Sequence, residues 1–259
     1  MILVVAAAGV LAGCAGEAGP AGPALQETAQ NLGSIRSGDL TFNVEVDPKD
    51  DGEPFGFAVE GPFALAEDGA LPKLDVEYTQ TANGESETVR LVLDGERAVA
   101  EAGGRTVELS EQQLEQLRGA GTALGGEGGG LDELRIDGWL VDPKRSDGPD
   151  NTDKIEGDLD VVALTNGLLE VVGAFRGSER AKIDGADADR LRDAVESADF
   201  EILTGKDDRI LRQLEFDISL GVDVPDELRD ALGNDVVGAD ISFLLALDRP
   251  NEPIDVSLP

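Results

Sequence analysis

Gly38-Asp39-Leu40-Thr41-Phe42-Asn43-Val44-Glu45-Val46-Asp47 (GDLTFNVEVD) alternates without a break. Leu40, Phe42, Val44 and Val46 point one way; Thr41, Asn43 and Glu45 point the other. Successive strand side chains face opposite sides, so this stretch predicts an antiparallel strand with one buried and one wet face. The pattern recurs downstream. Phe55, Phe57, Val59, Phe63 and Leu65 follow in period two, with Gly61-Pro62 marking a bend. Leu74, Val76 and Tyr78 come next, then a turn at Asn83-Gly84-Glu85, then Val89, Leu91 and Leu93. Asp94-Gly95 turns into 97–104, and 105–110 follows. Residues 38–109 therefore read as a β-meander of five or six strands.

Near Ser110 the period changes. Ser110 is a good N-cap, and Gln113 stands where a capping box needs it. A helix with Leu114 and Leu117 on one face follows. Residues 119–130 hold seven glycines in twelve positions. They lack the Gly-Lys-Ser/Thr ending of a phosphate loop, and a helix rather than a strand precedes them, so a loop or lid is expected. Residues 131–144 predict a helical turn leading to Trp139, the only tryptophan, read as core or as a cavity wall. The acid-dense stretch 146–160 is expected to be a solvated loop running into the strand DKIEGDLDV. Asp147, Asp150 and Asp153 lack the order of a calcium loop. Helices are predicted over 161–175 and 187–198, the second burying Leu191 and Val195. A hairpin of strands 199–204 and 209–221 comes next. Pro225 opens a short helix ending at Gly233. Ile241, Phe243, Leu245 and Leu247 mark the last strand.

Every strand is one-sided, so helices must cover one apolar face. The fold expected is α+β: a strongly curved antiparallel half-barrel sheet with helices covering the concave face. Incomplete covering leaves an apolar cavity for a ligand. The candidate lining is Phe42, Phe57, Phe63, Phe216 and Phe243; for each alone, ordinary core packing is the competing reading.

Composition narrows the chemistry. The chain has no histidine and one cysteine, which removes histidine-based catalysis, an intramolecular disulfide and zinc sites of the Cys/His kind. Net charge is −33, from 54 acids against 21 bases. That repels nucleic acid and fits a soluble or salt-adapted surface. No cofactor or metal is expected.

The cysteine is Cys14, directly after the uncharged apolar run 1–13. That run is too short for a permanent membrane span and predicts the core of a secretory signal. Leu11-Ala12-Gly13-Cys14 matches a bacterial lipobox, in which cleavage before the cysteine frees its thiol for acylation. The division expected is 1–13 as signal peptide, 14–24 as a flexible Gly/Ala/Pro tether with lipidated Cys14, and 25–259 as a single ligand-binding domain. A short helix is expected over 25–35.

The lipobox at 11–14, the strand GDLTFNVEV, the run NTDKIEGDLDV before a mid-chain helix, and the hairpin FEILTGKDDRILRQLEFDISL together resemble the LppX/LprG-type lipoproteins of actinobacteria, relatives by fold of the LolA/LolB carriers. The resemblance implies a half-barrel with a hydrophobic cavity that binds acylated lipids or lipoglycans and moves them through the envelope. It implies Cys14 as the lipidation site; a monomer held to the outer face of the cell membrane, with no enzymatic activity, is expected. A structural or interaction lipoprotein with a filled core is the second reading, and a carboxylate-dependent hydrolase the third.

Overall fold

Leu40, Phe42, Val44 and Val46 share one face of strand β1 (Ser37–Pro48), and their cross-strand partners are apolar on both sides. Phe42 lies opposite Val59 and Leu245, and Val44 opposite Phe57 and Phe243. The computed structural model describes residues 19–49, 52–66, 70–115, 117–118, 135–176, 182–221 and 238–259, with backbone alone for 170–176. The predicted Gly-rich loop at 119–130 and the helix from Pro225 lie outside the described residues.

From β1 the chain runs outward as a meander: β2 (Phe55–Ala64), β3 (Lys73–Ala82), β4 (Glu85–Asp94), β5 (Ala98–Ala102) and β6 (Arg105–Glu108). It then crosses to the far edge and returns through β7 (Leu140–Asp147), β8 (Thr152–Leu159), β9 (Val195–Gly205), β10 (Leu211–Leu220) and β11 (Ala239–Asp248). β11 closes against β1, giving one antiparallel sheet of 11 strands in the order β6-β5-β4-β3-β2-β1-β11-β10-β9-β8-β7. The two β-rich halves are thus one continuous sheet. Strand twist accumulates over so many strands and curls it into the half-barrel, with the helices on the concave face. The predicted bend at Gly61 has a steric cause: its φ is +137°, and a Cβ there would stand 2.1 Å from the carbonyl oxygen of Asp75.

Helices α1 (Ala21–Asn31), α2 (Val161–Arg176) and α3 (Gly185–Ala194) cover the β7–β11 half. They bury Leu25, Leu164 and Leu191 against Ile155, Phe200, Ile202, Leu214 and Phe216. Asp160 caps α2, its carboxylate accepting from the amides of Val162 and Ala163 at 3.1 and 3.0 Å. Trp139 is core, 3% exposed, and Gly167 lets α2 lie on its indole: a Cβ there would be 3.0 Å from Nε1.

Four expectations are corrected. α1 starts at Ala21, with Ala21 and Ala24 in the core, so the fold takes in residues assigned to the tether. The predicted 25–35 helix ends at Asn31 and tightens into a 3₁₀ turn, Leu32–Ser34. Residues 140–147 form an edge strand instead of a helical turn and loop. The helix expected to 198 stops at Ala194, because Val195 opens β9 opposite Leu220.

The convex face gathers acids directly across from acids: Glu156 and Glu215 each face Glu201, Asp199 faces Asp217, Glu60 faces Glu77, and Asp47 faces Asp240. Lys154 bridges Glu156 and Glu201 at 2.9 and 2.7 Å, and Lys49 reaches Asp240 at 3.7 Å; the other pairs hold like charge against like charge, each costing roughly 0.2–1 kcal/mol. Added salt screens such pairs, the Debye length falling from about 10 Å at 0.1 M to about 3 Å at 1 M. Tm is therefore expected to rise roughly 5–10 °C over that range. A thermal-unfolding series in sodium chloride checks this, and a flat or falling Tm would defeat the argument.

Candidate functional site

Beside a small cluster of Val46 and Ala239, with Phe55 and Ile241 packed against it, the concave face carries two main cores. The larger lies under α1, α2 and α3. The smaller joins Leu71, Leu93, Ala98 and Leu114, with Leu74, Leu91, Leu109 and Leu117 packed against it. Its lid is the short helical segment that Ser110 opens; residues 111–115 and 117–118 are helical, and Gln113 Oε1 accepts from the Ser110 amide at 2.9 Å. Between the cores lie Phe42, Val44, Phe57, Val59, Val76, Tyr78 and Val89. Alternation puts them all on the concave face, and none belongs to a buried cluster.

An aromatic ladder crosses this gap. Trp139 meets Phe200 edge-on at 6.3 Å, and Phe200, Phe216 and Phe243 stack at 6.5 and 4.6 Å. Phe243 meets Phe42 edge-on at 5.2 Å, Phe42 meets Phe57 at 5.5 Å, and Phe57 meets Tyr78 at 6.2 Å. Cross-strand register sets the order, since Phe200, Phe216 and Phe243 are direct partners on β9, β10 and β11. Burial falls along the ladder. Trp139, Phe200 and Phe216 are core; Phe243 and Phe42 are half-buried; Phe57 and Tyr78 are each 38% exposed. Leaving two adjacent large apolar rings in water is unfavourable unless something covers them.

All five candidate phenylalanines lie on the concave face, but they do not line one enclosed cavity. Phe216 is core, and Phe63 packs against the larger core away from the ladder. Phe42, Phe57 and Phe243 form the strip. Tyr78 is the residue the candidate lining omitted; its period-two spacing with Leu74 and Val76 already placed it on this face. One cleft, of about 440 Å³, opens on the opposite face among Glu77, Thr88, Arg90, Glu101 and Thr106.

Among the described residues the acids do not converge on a metal site. Asp153 is buried between Arg145 and Arg209, and Asp147 pairs with Lys206 at 2.6 Å. Among the described residues no group of three or more His, Cys, Asp or Glu could hold a metal ion, and no helix is long and apolar enough to cross a membrane.

The chain is distantly similar to solved structures. Against the crystal structure of LprF from Mycobacterium bovis the TM-score is 0.49 at 14% identity, over 92% of this chain and 96% of that one. Against a LolA superfamily protein from Nitrosomonas europaea it is 0.21 at 10% identity, over 93% and 96%. No family model and no curated protein matches the sequence. At such identities and scores the likeness carries no argument. The site rests on this chain's own geometry.

Proposed function

We propose that the protein is an envelope lipoprotein that binds, and carries, the acyl chains of a lipid or lipoglycan on the strip of Phe42, Phe57, Val59, Val76 and Tyr78. Cys14 is the lipidation site and holds the protein to the outer face of the cell membrane. With α1 starting at Ala21, residues 15–20 alone link anchor to fold, a reach of about 20 Å. The protein acts as a monomer, because a net charge of −33 opposes self-association. Catalysis has no part in this reading.

The observation that carries the proposal is the aromatic ladder that leaves the core and surfaces at Phe57 and Tyr78, each 38% exposed, between two separately filled cores. An acyl chain fits such a surface because it offers apolar area without needing hydrogen-bond partners.

Native mass spectrometry of the full chain carrying Cys14→Ser, purified from cells and followed by organic extraction, tests it. A stoichiometric adduct that extracts as acyl lipid is expected. A clean apo mass, unchanged after incubation with phospholipids and glycolipids, would favour an interaction module with no ligand.

A further inference from the structure

We propose that the strip is selective for acyl ligands with an uncharged head and discriminates against anionic ones, with Glu87 as the specificity-determining residue. The inference rests on the acyl-chain reading above. It starts from a gradient along β3 and β4. Leu74 faces Leu93, Val76 faces Leu91, Tyr78 faces Val89, Gln80 faces Glu87, and Ala82 faces Glu85. Pairs at this spacing share the concave face. The face is therefore apolar and closed by the small core at the Leu74 end. It is polar and exposed at the Gln80 end. From Leu74 to Gln80 the strand covers about 20 Å. An extended acyl chain is that long. A single-chain amphiphile satisfies the gradient in one orientation only, its tail toward Leu74 and Leu93 and its head beside Gln80 and Glu87.

The charges around that head position are one-sided. Phe57 faces Gln80 and Gln80 faces Glu87, so Glu87 lies two strands from Phe57 and diagonally beside Tyr78. Glu85 follows on the same face. Glu53 leans on the β3–β4 turn, its Oε2 3.2 Å from where a Gly84 Cβ would stand. The cations nearby are spent or distant. Arg90 is on the opposite face, held by Asp75 at 2.7 Å and Glu101 at 3.2 Å. Arg118, on the segment over the small core, pairs with Glu111 at 3.3 Å and Glu115 at 2.6 Å. Arg105 is the one cation on the concave face of β1–β6 among the described residues. It pairs with Ala102 on the edge, three strands from Tyr78 or about 14 Å at ~4.8 Å per strand. Among the described residues, a phosphate head beside Gln80 thus meets Glu87 at close range with no counter-charge at similar distance. An uncharged head meets Gln80 and Glu87 as hydrogen-bond partners.

The test uses the full chain carrying Cys14→Ser and two amphiphiles with the same saturated chain: a monoacylglycerol and a lysophosphatidic acid. Affinities are measured by titration calorimetry below micelle formation, at low and at high ionic strength. The monoacylglycerol is expected to bind about tenfold more tightly at low salt, with the gap narrowing at high salt as charges are screened. Glu87→Gln is expected to close most of the gap by raising lysophosphatidic acid affinity. Glu215→Gln, on the convex face, is expected to leave the gap unchanged. Equal or tighter binding of the anionic lipid at low salt would overturn the selectivity. A gap that Glu87→Gln does not move would overturn the role of Glu87. Failure of both amphiphiles to bind would overturn the acyl-chain reading itself, and the selectivity with it.

Discussion

Replacing Phe57 and Tyr78 together by serine is expected to weaken binding of a long-chain acyl ligand roughly tenfold while leaving the fold in place. Each ring is 38% exposed and belongs to neither core, so truncation opens no closed cavity. Surface changes of this kind cost little stability, within about 1 kcal/mol for the pair, or a few degrees in Tm. Binding is different, because a bound acyl chain would cover what is now in water. Only the 38% of each ring that is exposed remains to be covered, so each contributes roughly 0.6–1.1 kcal/mol of apolar burial. Titration with a monoacylglycerol, beside a thermal melt of the same samples, reads both effects. The control is Val107→Ser: Val107 is 62% exposed but on the edge strand, away from the ladder. Equal loss in the control, or no loss in the double variant, would remove the strip as the binding surface. Phe216→Ser is a poor probe by comparison. Phe216 is 3% exposed and stacked on both sides, so its loss unfolds before it informs.

The same division between filled and open surface explains what the sequence could show. Alternation placed β1, β4, β10 and β11 on their apolar faces, because each strand has a wet side. It missed β7. There Asp142 has φ 49°, Pro143 follows, and the register slips between Val141 and Lys144, so the period-two signal is lost inside the strand. Such interruptions are how a free sheet edge is kept from pairing. Val195 was drawn into the preceding helix by its spacing from Leu191; in the fold, pairing with Leu220 outweighs that local pattern. Ala21 and Ala24 carried no signal, since Gly/Ala/Pro composition reads as linker until a sheet is present to pack against. For the site, the faces of Phe42, Phe57 and Phe243 were legible from sequence. Their burial was not, because it depends on which half of the sheet the helices cover.

A large effect on stability is expected at Asp153, and the reason lies in its surroundings. Its side chain is 2% exposed and accepts from Arg145 Nη2 at 2.5 Å and from Arg209. Arg209 also reaches Glu27 on α1 at 3.5 Å, and beside it Thr28 and Thr204, both fully buried, meet at 2.8 Å. The cluster fastens α1 to β8 and β9. Burial pushes the Asp153 carboxyl up, but the two guanidinium groups outweigh it and hold it below the usual carboxylate range. Asp153→Asn removes the charge and leaves two part-buried arginines facing each other, which is expected to cost about 3–5 kcal/mol, or roughly 10 °C or more in Tm at this chain length. Replacing Arg145, Asp153 and Arg209 together by Met, Leu and Met is expected to recover most of that loss, because the cost of a broken pair is largely the uncompensated charge. The pH dependence has a definite sign. Since folding depresses the carboxyl, its contribution is fully present above its unfolded value, near 3.8, and is lost as pH falls through the lower folded value. Below about pH 4 the native protein should lose stability faster than Asp153→Asn, so their melting curves converge in acid. Parallel curves down to the acid limit, or a Tm loss under about 3 °C at neutral pH, would show that the cluster does not hold α1 in place.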